Sequence, residues 1–365
     1  WRARSIVIAG THGKTTTSAL AGWLLTHGGA DPSVFIGGIA RNFGDNGSSY
    51  RIGAANGPFV IEGDEYDSAF FDKTAKFLKY LPDVAVINNI EFDHADIYAD
   101  LDAVRLAFRR LVNLVPRRGL TLLGADSADA AALAPRALSR LQTFGTGEGA
   151  HWRAVDLAAH GAGTRFRLLE LGSDRGLFEV PLVGAHNVRN ALAAIAVGRE
   201  CGVALDTLRG GLAAFRGVKR RLEVVGSRRD IVVYDDFAHH PTAVAETIAA
   251  LKTAQPGRRI WAVFEPRSAS SCRRIFQDDF ARAFGQADQV VIASVFRANL
   301  APEERLSEDQ LVADLSARGV AARHLPDVDA IVRQVSTEAE PGDIVVIMSN
   351  GGFGGIHSKL LEALA

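Results

Sequence analysis

The segment Gly10-Thr-His-Gly-Lys-Thr-Thr-Thr17 places a lysine and a run of hydroxyls directly after a glycine. Glycines let successive backbone N–H groups turn toward one anion, and a helix starting there adds the positive end of its dipole. In that geometry Gly10, Thr11, His12, Gly13 and Thr16 surround a phosphate, Lys14 reaches the β- and γ-phosphates, and the Thr15 hydroxyl ligates Mg²⁺. The spacing departs from the common GxxxxGK[ST] form, because Ile8 and not glycine stands six positions before Lys14. A Gly-rich turn with a surface lysine contains the same GKT tripeptide. What favours a phosphate loop is the order of elements: an apolar strand pattern, Ile6 to Ala9, before it and a helical pattern, Ala19 to Leu25, after it.

Carboxylates gather a short way downstream. The run Phe59-Val-Ile-Glu62 reads as a strand that ends in Glu62-Gly-Asp-Glu-Tyr-Asp67. In open α/β sheets ligands collect outside the carboxyl ends of strands, which sets Glu62 beside Thr15. Oxygen ligands suit Mg²⁺, so one or two carboxylates suffice, although a solvated acidic turn would read the same way. The next strand pattern, Val84 to Asn88, leads to Asn89-Ile-Glu-Phe-Asp-His94. His94 is a candidate second cation ligand or a structural histidine, imidazole being an uncommon partner for Mg²⁺.

These loops require a scaffold of alternating elements. Strand patterns at Ile6–Ala9, Phe59–Glu62, Val84–Asn88 and Leu120–Leu123 are separated by helical stretches such as Leu101–Leu114, the signature of βαβ units around a mostly parallel sheet. After Gln142, Thr164–Leu171 and Gly176–Leu182 suggest a small antiparallel appendage, with helices from about Asn187 and Leu205 closing the domain. A second βα series starts at Ile231–Asp235 and continues through Arg259–Phe264, Gln289–Ala293 and Asp343–Met348. Its helices are expected near Thr242, Phe276, Ser307, Val328 and Ile356. This series is Rossmann-like but lacks GxGxxG. We therefore expect two α/β domains, residues 1–217 and 218–365.

Composition agrees with a two-domain globular enzyme: 365 residues, 47% of them hydrophobic, exceed one ordinary core. Lys+Arg at 41 against Asp+Glu at 42 leave no overall field for nucleic acid or an anionic membrane. Cys201 and Cys272 are too few for a disulfide framework and fit a reducing compartment. No apolar run nears the roughly 20 residues that span a bilayer, and Trp1-Arg-Ala-Arg is not a secretory signal, so a cytoplasmic protein is expected. The first residue is not Met and a strand pattern follows almost at once, which reads as a fragment. Nothing in the pattern specifies an oligomer.

Taken together, GTHGKTTT, EGDEYD and NNIEFDHAD resemble the Mur ligases, ADP-forming amide-bond enzymes of bacterial cell-wall precursor synthesis. The resemblance continues through Gly184-Ala-His-Asn-Val-Arg-Asn190, Gly217-Val-Lys-Arg-Arg221 and Asp235-Asp-Phe-Ala-His-His-Pro241, and so covers nearly the whole chain. It implies a central ATPase domain and a C-terminal α/β domain, preceded in the family by an N-terminal domain with no counterpart here. It further implies that Lys14 and Thr15 hold phosphate and Mg²⁺, that Glu62 and His94 ligate metal, and that His186, Asn187 and Asn190 contact ATP. Arg221 would contact phosphate near the domain boundary, and Asp236 and His239 would serve the nucleotide. From the residues alone, Asn187 reads rather as a helix N-cap and Arg221 as a surface charge.

Within that resemblance, His12 and the DDxxHHP pattern point to the branch that loads UDP-N-acetylmuramate. Two activities share this acceptor, one adding L-alanine and the other re-attaching a recovered tripeptide, L-Ala-γ-D-Glu-meso-diaminopimelate. The segments Glu62–Lys73, Phe264-Glu-Pro-Arg-Ser268 and Ser349-Asn-Gly-Gly-Phe-Gly-Gly355 look like the second. Arg267, Ser349 and Asn350 are the candidate peptide-binding residues, Arg267 as a bidentate carboxylate clamp or as a surface arginine. Several branches carry a modified, metal-bridging lysine on the helix after the histidine. Here that stretch is Val104-Arg-Leu-Ala-Phe-Arg-Arg110, so no lysine is expected to bridge metals. A non-catalytic nucleotide-binding module is the alternative from another class.

Overall fold

The computed structural model describes residues 3–296 and 300–365. Strand β1 (Ser5–Ala9) is buried at every position. Ile6 and Ile8 join a core with Leu20, Leu24 and Ala193, whereas Val7 and Ala9 join another with Phe108 and Leu111. A strand apolar on both faces must lie inside a sheet covered on both sides, and βαβ crossovers supply that cover.

The chain divides into two compact units, Trp1–Lys219 and Arg220–Ala365. Val218 belongs to the first, buried and bridged to Ala40. After β1 come α1 (Lys14–His27), β2 (Ser33–Ala40), β3 (Ser48–Arg51), β4 (Phe59–Glu62), β5 (Asp67–Ala69), β6 (Asp72–Ala75) and β7 (Val84–Ile87). Then follow α2 (Leu101–Leu114), β8 (Leu120–Gly124), α3 (Ala128–Ala131), β9 (Arg140–Gly145), β10 (Trp152–His160), β11 (Gly163–Glu170), β12 (Ser173–Val180), α4 (Ala185–Glu200) and α5 (Leu205–Ala213).

The ten-stranded sheet runs β12-β11-β10-β9-β8-β7-β1-β4-β2-β3, and β5–β6 form a separate hairpin. Its centre is parallel, as expected. The expected antiparallel appendage is β10–β12, and it extends the same sheet, because β10 pairs in parallel with β9 through Trp152↔Phe144 and Arg153↔Gly145.

The second unit holds β13 (Glu223–Arg228), β14 (Ile231–Asp236), α6 (Pro241–Ala254), β15 (Ile260–Phe264), α7 (Gln277–Ala283) and β16 (Gln289–Ala293). It continues with α8 (Glu308–Ala317), β17 (Ala321–Leu325), α9 (Val328–Glu338), β18 (Ile344–Met348) and α10 (Ile356–Ala363). Its sheet, β13-β14-β18-β15-β16-β17, is parallel except for the β13 edge. Trp261, Val263, Val345 and Ile347 form one core face with Ile331, Val335 and Ile356.

At the amino end of these strands the buried Asp343 accepts from Trp261 Nε1 at 2.9 Å, from Glu340 N–H at 2.9 Å and from Arg259 Nη2 at 2.7 Å. Burial pushes its carboxyl up, but these donors outweigh burial and hold it below the ordinary carboxylate value. A lowered folded-state pKa contributes stability above the unfolded value and loses it as pH falls through the folded one. Asp343→Asn should therefore destabilise the chain by roughly 2–3 kcal/mol at neutral pH. The difference from wild type should shrink below about pH 4. Urea denaturation across that range checks this, and a pH-independent difference would count against it.

Candidate active site

The loop between β1 and α1 delivers the first turn of α1 without a side-chain cap or an acidic residue, so its N-terminal dipole is not offset by its own sequence. Gly13 takes φ 79°, and a Cβ there would stand 2.4 Å from Asn190 Oδ1. Lys14 Nζ donates to Gly10 O at 2.7 Å, Thr11 O at 3.2 Å and Glu65 Oε1 at 2.9 Å. Burial pulls the pKa of Lys14 down, but Glu65, with Glu62 and Asp64, more than restores it, and the group stays charged.

The expected cation ligands fall into two sets. Thr15 Oγ1 donates to Glu62 Oε1 at 3.0 Å, and Gly37 N–H holds Glu62 Oε2 at 2.7 Å. His94 Nε2 instead lies 2.9 Å from Glu65 Oε1, the oxygen that also accepts from Lys14. Burial lowers the His94 pKa, but the hydrogen bond to Glu65 and the charges of Asp93 and Glu65 outweigh it and hold the imidazole above its ordinary value. His94 is held at φ 56° with its N–H on Asp93 Oδ1 at 2.7 Å, an uncommon backbone state for a residue with a side chain. The oxygens of Thr15 and Glu62 fit a hard cation such as Mg²⁺. So does Glu65 Oε2, buried without a hydrogen-bond partner among the described residues.

A polar ladder locks the loop to its neighbours. Asn88 Nδ2 donates to Thr17 Oγ1 at 3.0 Å and to His12 O at 3.2 Å, and Thr17 Oγ1 donates to Asn190 Oδ1 at 3.1 Å. Asn190 Nδ2 continues to Asn187 Oδ1 at 3.2 Å. Asn187 is not an N-cap: Gly184 holds that position, and the Asn187 side-chain amide donates to Val183 O, just before α4, at 2.9 Å. His186, half-buried, is the second residue of that helix. His12 N–H donates to Asn89 Oδ1 at 2.7 Å. Thr11 N–H donates to Asn89 O at 3.0 Å, and Thr16 is buried in the first turn of α1. Glu65, Asn88 and Asn89 all lie in the segments that the sequence offered, but their types and spacing alone gave them no role.

In the second unit, Asp236 accepts from Leu222 N–H at 2.6 Å and Ala238 N–H at 2.8 Å, so its buried carboxylate joins the chain entering β13 to the turn leaving β14. Arg221 lies 4.8 Å from the Phe237 ring centroid, a cation–π contact and not a bare surface charge. His239 Nδ1 donates to Phe237 O at 2.9 Å. The neighbouring strands β15 and β18 bring Arg267, Ser349 and Asn350 to one carboxyl edge. There the buried Glu265 accepts from Ser349 Oγ at 2.5 Å and lies 3.5 Å from Arg267, whose guanidinium stacks 3.6 Å from the Phe296 centroid. Asn350 Oδ1 is buried without a hydrogen-bond partner among the described residues. Glu265 is a further residue that sequence reading did not single out.

Residues 8–198 match the Mur ligase middle domain, and residues 220–351 match the Mur ligase glutamate ligase domain. The chain is 41% identical over 362 residues to "UDP-N-acetylmuramate--L-alanyl-gamma-D-glutamyl-meso-2,6-diaminoheptandioate ligase" of Escherichia coli K12, covering 99% of this chain and 76% of that protein. It is 37% identical to the UDP-N-acetylmuramate L-alanine ligase of Salinibacter ruber, covering 98% of this chain and 73% of that one. A crystal structure of a murein peptide ligase from Psychrobacter arcticus superposes with a TM-score of 0.73 at 34% identity, covering 100% of this chain and 78% of the other. With both domains matched in order and relatives of this identity along nearly its whole length, the chain belongs to the Mur ligase family.

Proposed function

We propose that this chain joins UDP-N-acetylmuramate to L-Ala-γ-D-Glu-meso-diaminopimelate in an ATP-dependent, ADP-forming reaction of peptidoglycan recycling. The observation that carries the chemistry is the charged Lys14 at an uncapped helix N-terminus, beside the Thr15–Glu62 oxygen pair. The choice of tripeptide rests on the 41% identical Escherichia coli relative, which is named for that substrate.

In the first step a carboxylate oxygen of the sugar's lactyl group attacks the γ-phosphorus, the bond to ADP breaks, and an acyl phosphate forms. In the second the peptide's free amine attacks the acyl carbon, inorganic phosphate leaves, and the amine's surplus proton passes to a base. Loop N–H groups and Lys14 hold the phosphates and offset charge building on the transferring group, the electrostatic and positioning work such transfers need. Mg²⁺ held by Thr15 and Glu62 would neutralise further charge on the phosphate oxygens. Glu65 keeps Lys14 protonated and directed, and holds His94. Asn187, Asn190 and His186 are proposed nucleotide contacts from α4. Arg221, Asp236 and His239 enter this reading through the family resemblance alone, as do Arg267, Ser349 and Asn350 for the peptide.

The relatives that add L-alanine keep a second substrate reading in view. Phosphate release and amide formation with ATP, Mg²⁺ and UDP-N-acetylmuramate, measured with tripeptide and with L-alanine, decide between them. The expected result is product with tripeptide only. Preference for L-alanine moves the chain to the other activity, and release without any amine acceptor overturns the ligase reading.

Lys14→Ala should slow amide formation by about 10²–10³-fold. Glu65→Gln, which keeps size and removes charge, should weaken nucleotide binding and, by leaving the buried Lys14 ammonium without its counter-charge, also lower the melting temperature. Calorimetric titration with an ATP analogue checks the second, and unaltered affinity would refute the role given to Glu65.

A further inference from the structure

Strand β2 keeps parallel register with β4 only from Ser33↔Phe59 to Phe35↔Ile61. Beyond that point Gly37 N–H donates to a side chain, Glu62 Oε2, while the Thr15 hydroxyl donates to Oε1 of the same carboxylate. Small size permits this approach. A Cβ on Gly37 would stand 3.2 Å from both Glu62 oxygens, and one on Gly38 would stand 2.7 Å from the Thr15 methyl. Neither glycine has a left-handed φ, so close contact and not backbone strain selects against a side chain here.

The same strand runs on to the end of the first unit. Lys219 N–H donates to Ile39 O at 2.9 Å and Arg41 N–H to Gly217 O at 3.0 Å. Ala40 bridges Val218. The Asn42 side chain accepts from Arg216 N–H at 2.7 Å and donates to Ala214 O at 3.1 Å. One short segment thus touches the Glu62 carboxylate at one end and the chain at 214–219 at the other.

We infer that Gly37–Asn42 is a positioning strap: it fixes Glu62 and Thr15 toward the cation and couples the state of that pair to residues 214–219. The inference rests on the cation role proposed above for Thr15 and Glu62. Gly37 and Gly38 are positioning residues, since they reach the cation only through those two side chains.

The test follows binding, not turnover. Calorimetry with a non-hydrolysable ATP analogue at rising Mg²⁺ compares wild type, Gly37→Ala and Gly37→Val, and hydrogen exchange follows the Arg41 and Lys219 amides. Gly37→Val should need about tenfold more Mg²⁺ for the same affinity, as expected for loss of an outer-shell partner. Gly37→Ala should fall between it and wild type, with Mg²⁺-free affinity unchanged in both. If the valine variant does not fold, the alanine variant still carries the test, because its new Cβ asks Glu62 to yield by only a few tenths of an ångström. Asn42→Ala should abolish the protection that Mg²⁺-nucleotide confers on Lys219. Superimposable Mg²⁺ titrations overturn the positioning role, and equal protection in Asn42→Ala overturns the coupling. Wild-type binding indifferent to Mg²⁺ overturns the cation reading itself, and the strap with it.

Discussion

Burying a lysine ammonium beside a carboxylate that is 2% exposed is the constraint around which the first unit is built. Taking two such charges out of water costs several kcal/mol per ion unless geometry and further hydrogen bonds compensate. Here Gly10 O and Thr11 O complete the donors of Lys14, and His94 shares Glu65. That arrangement requires β1, β4 and β7 to lie side by side and end at the same level. Their parallel registers, Ile8↔Glu62 and Ala9↔Ile87, provide this. The helix dipole, the Thr15–Glu62 oxygen pair and the asparagine ladder then fall into place around one point.

Both units separate structural charges from the candidate site residues along the strand direction. At the amino ends lie fixed charges: Asp83 on Ser5 N–H and Glu200 on Arg4 and Arg140 in the first unit, Asp343 on Arg259 and Trp261 in the second. At the carboxyl ends lie Lys14, Glu62 and Glu65 in one and Glu265, Arg267 and Ser349 in the other. Parallel sheets favour this division because every strand leaves its last residue, and the loop after it, on the same edge.

Much of this was legible in the residues. The apolar runs of β1, β4, β7, β8, β14, β15, β16 and β18 are buried strands that announce themselves, and α2 spans the expected Leu101–Leu114. The missed strands share a physical cause. In β2 Gly37 and Gly38 interrupt the apolar pattern, β10 is exposed from Asp156 onward, and β17 is only partly buried at the sheet edge. At the candidate site, Lys14, Thr15 and Glu62 were singled out because each ends or follows a recognisable element. Glu65 was quoted but given no role, since its partners Lys14 and His94 come together only through the fold. Asn187 was left between two readings until the observed cap at Gly184 removed one of them.

Gly13 and Asn190 also bear on how such a chain can change over time. The amide oxygen of Asn190 occupies the space a side chain at Gly13 would need, while its own hydrogen bonds run to Thr17 and Asn187. A mutation at either position therefore meets a neighbour far away in the chain that has not yet changed. Loop and helix are bound to drift as one block. Recombination with a breakpoint between them would join halves that no longer fit, even where each half came from a working protein.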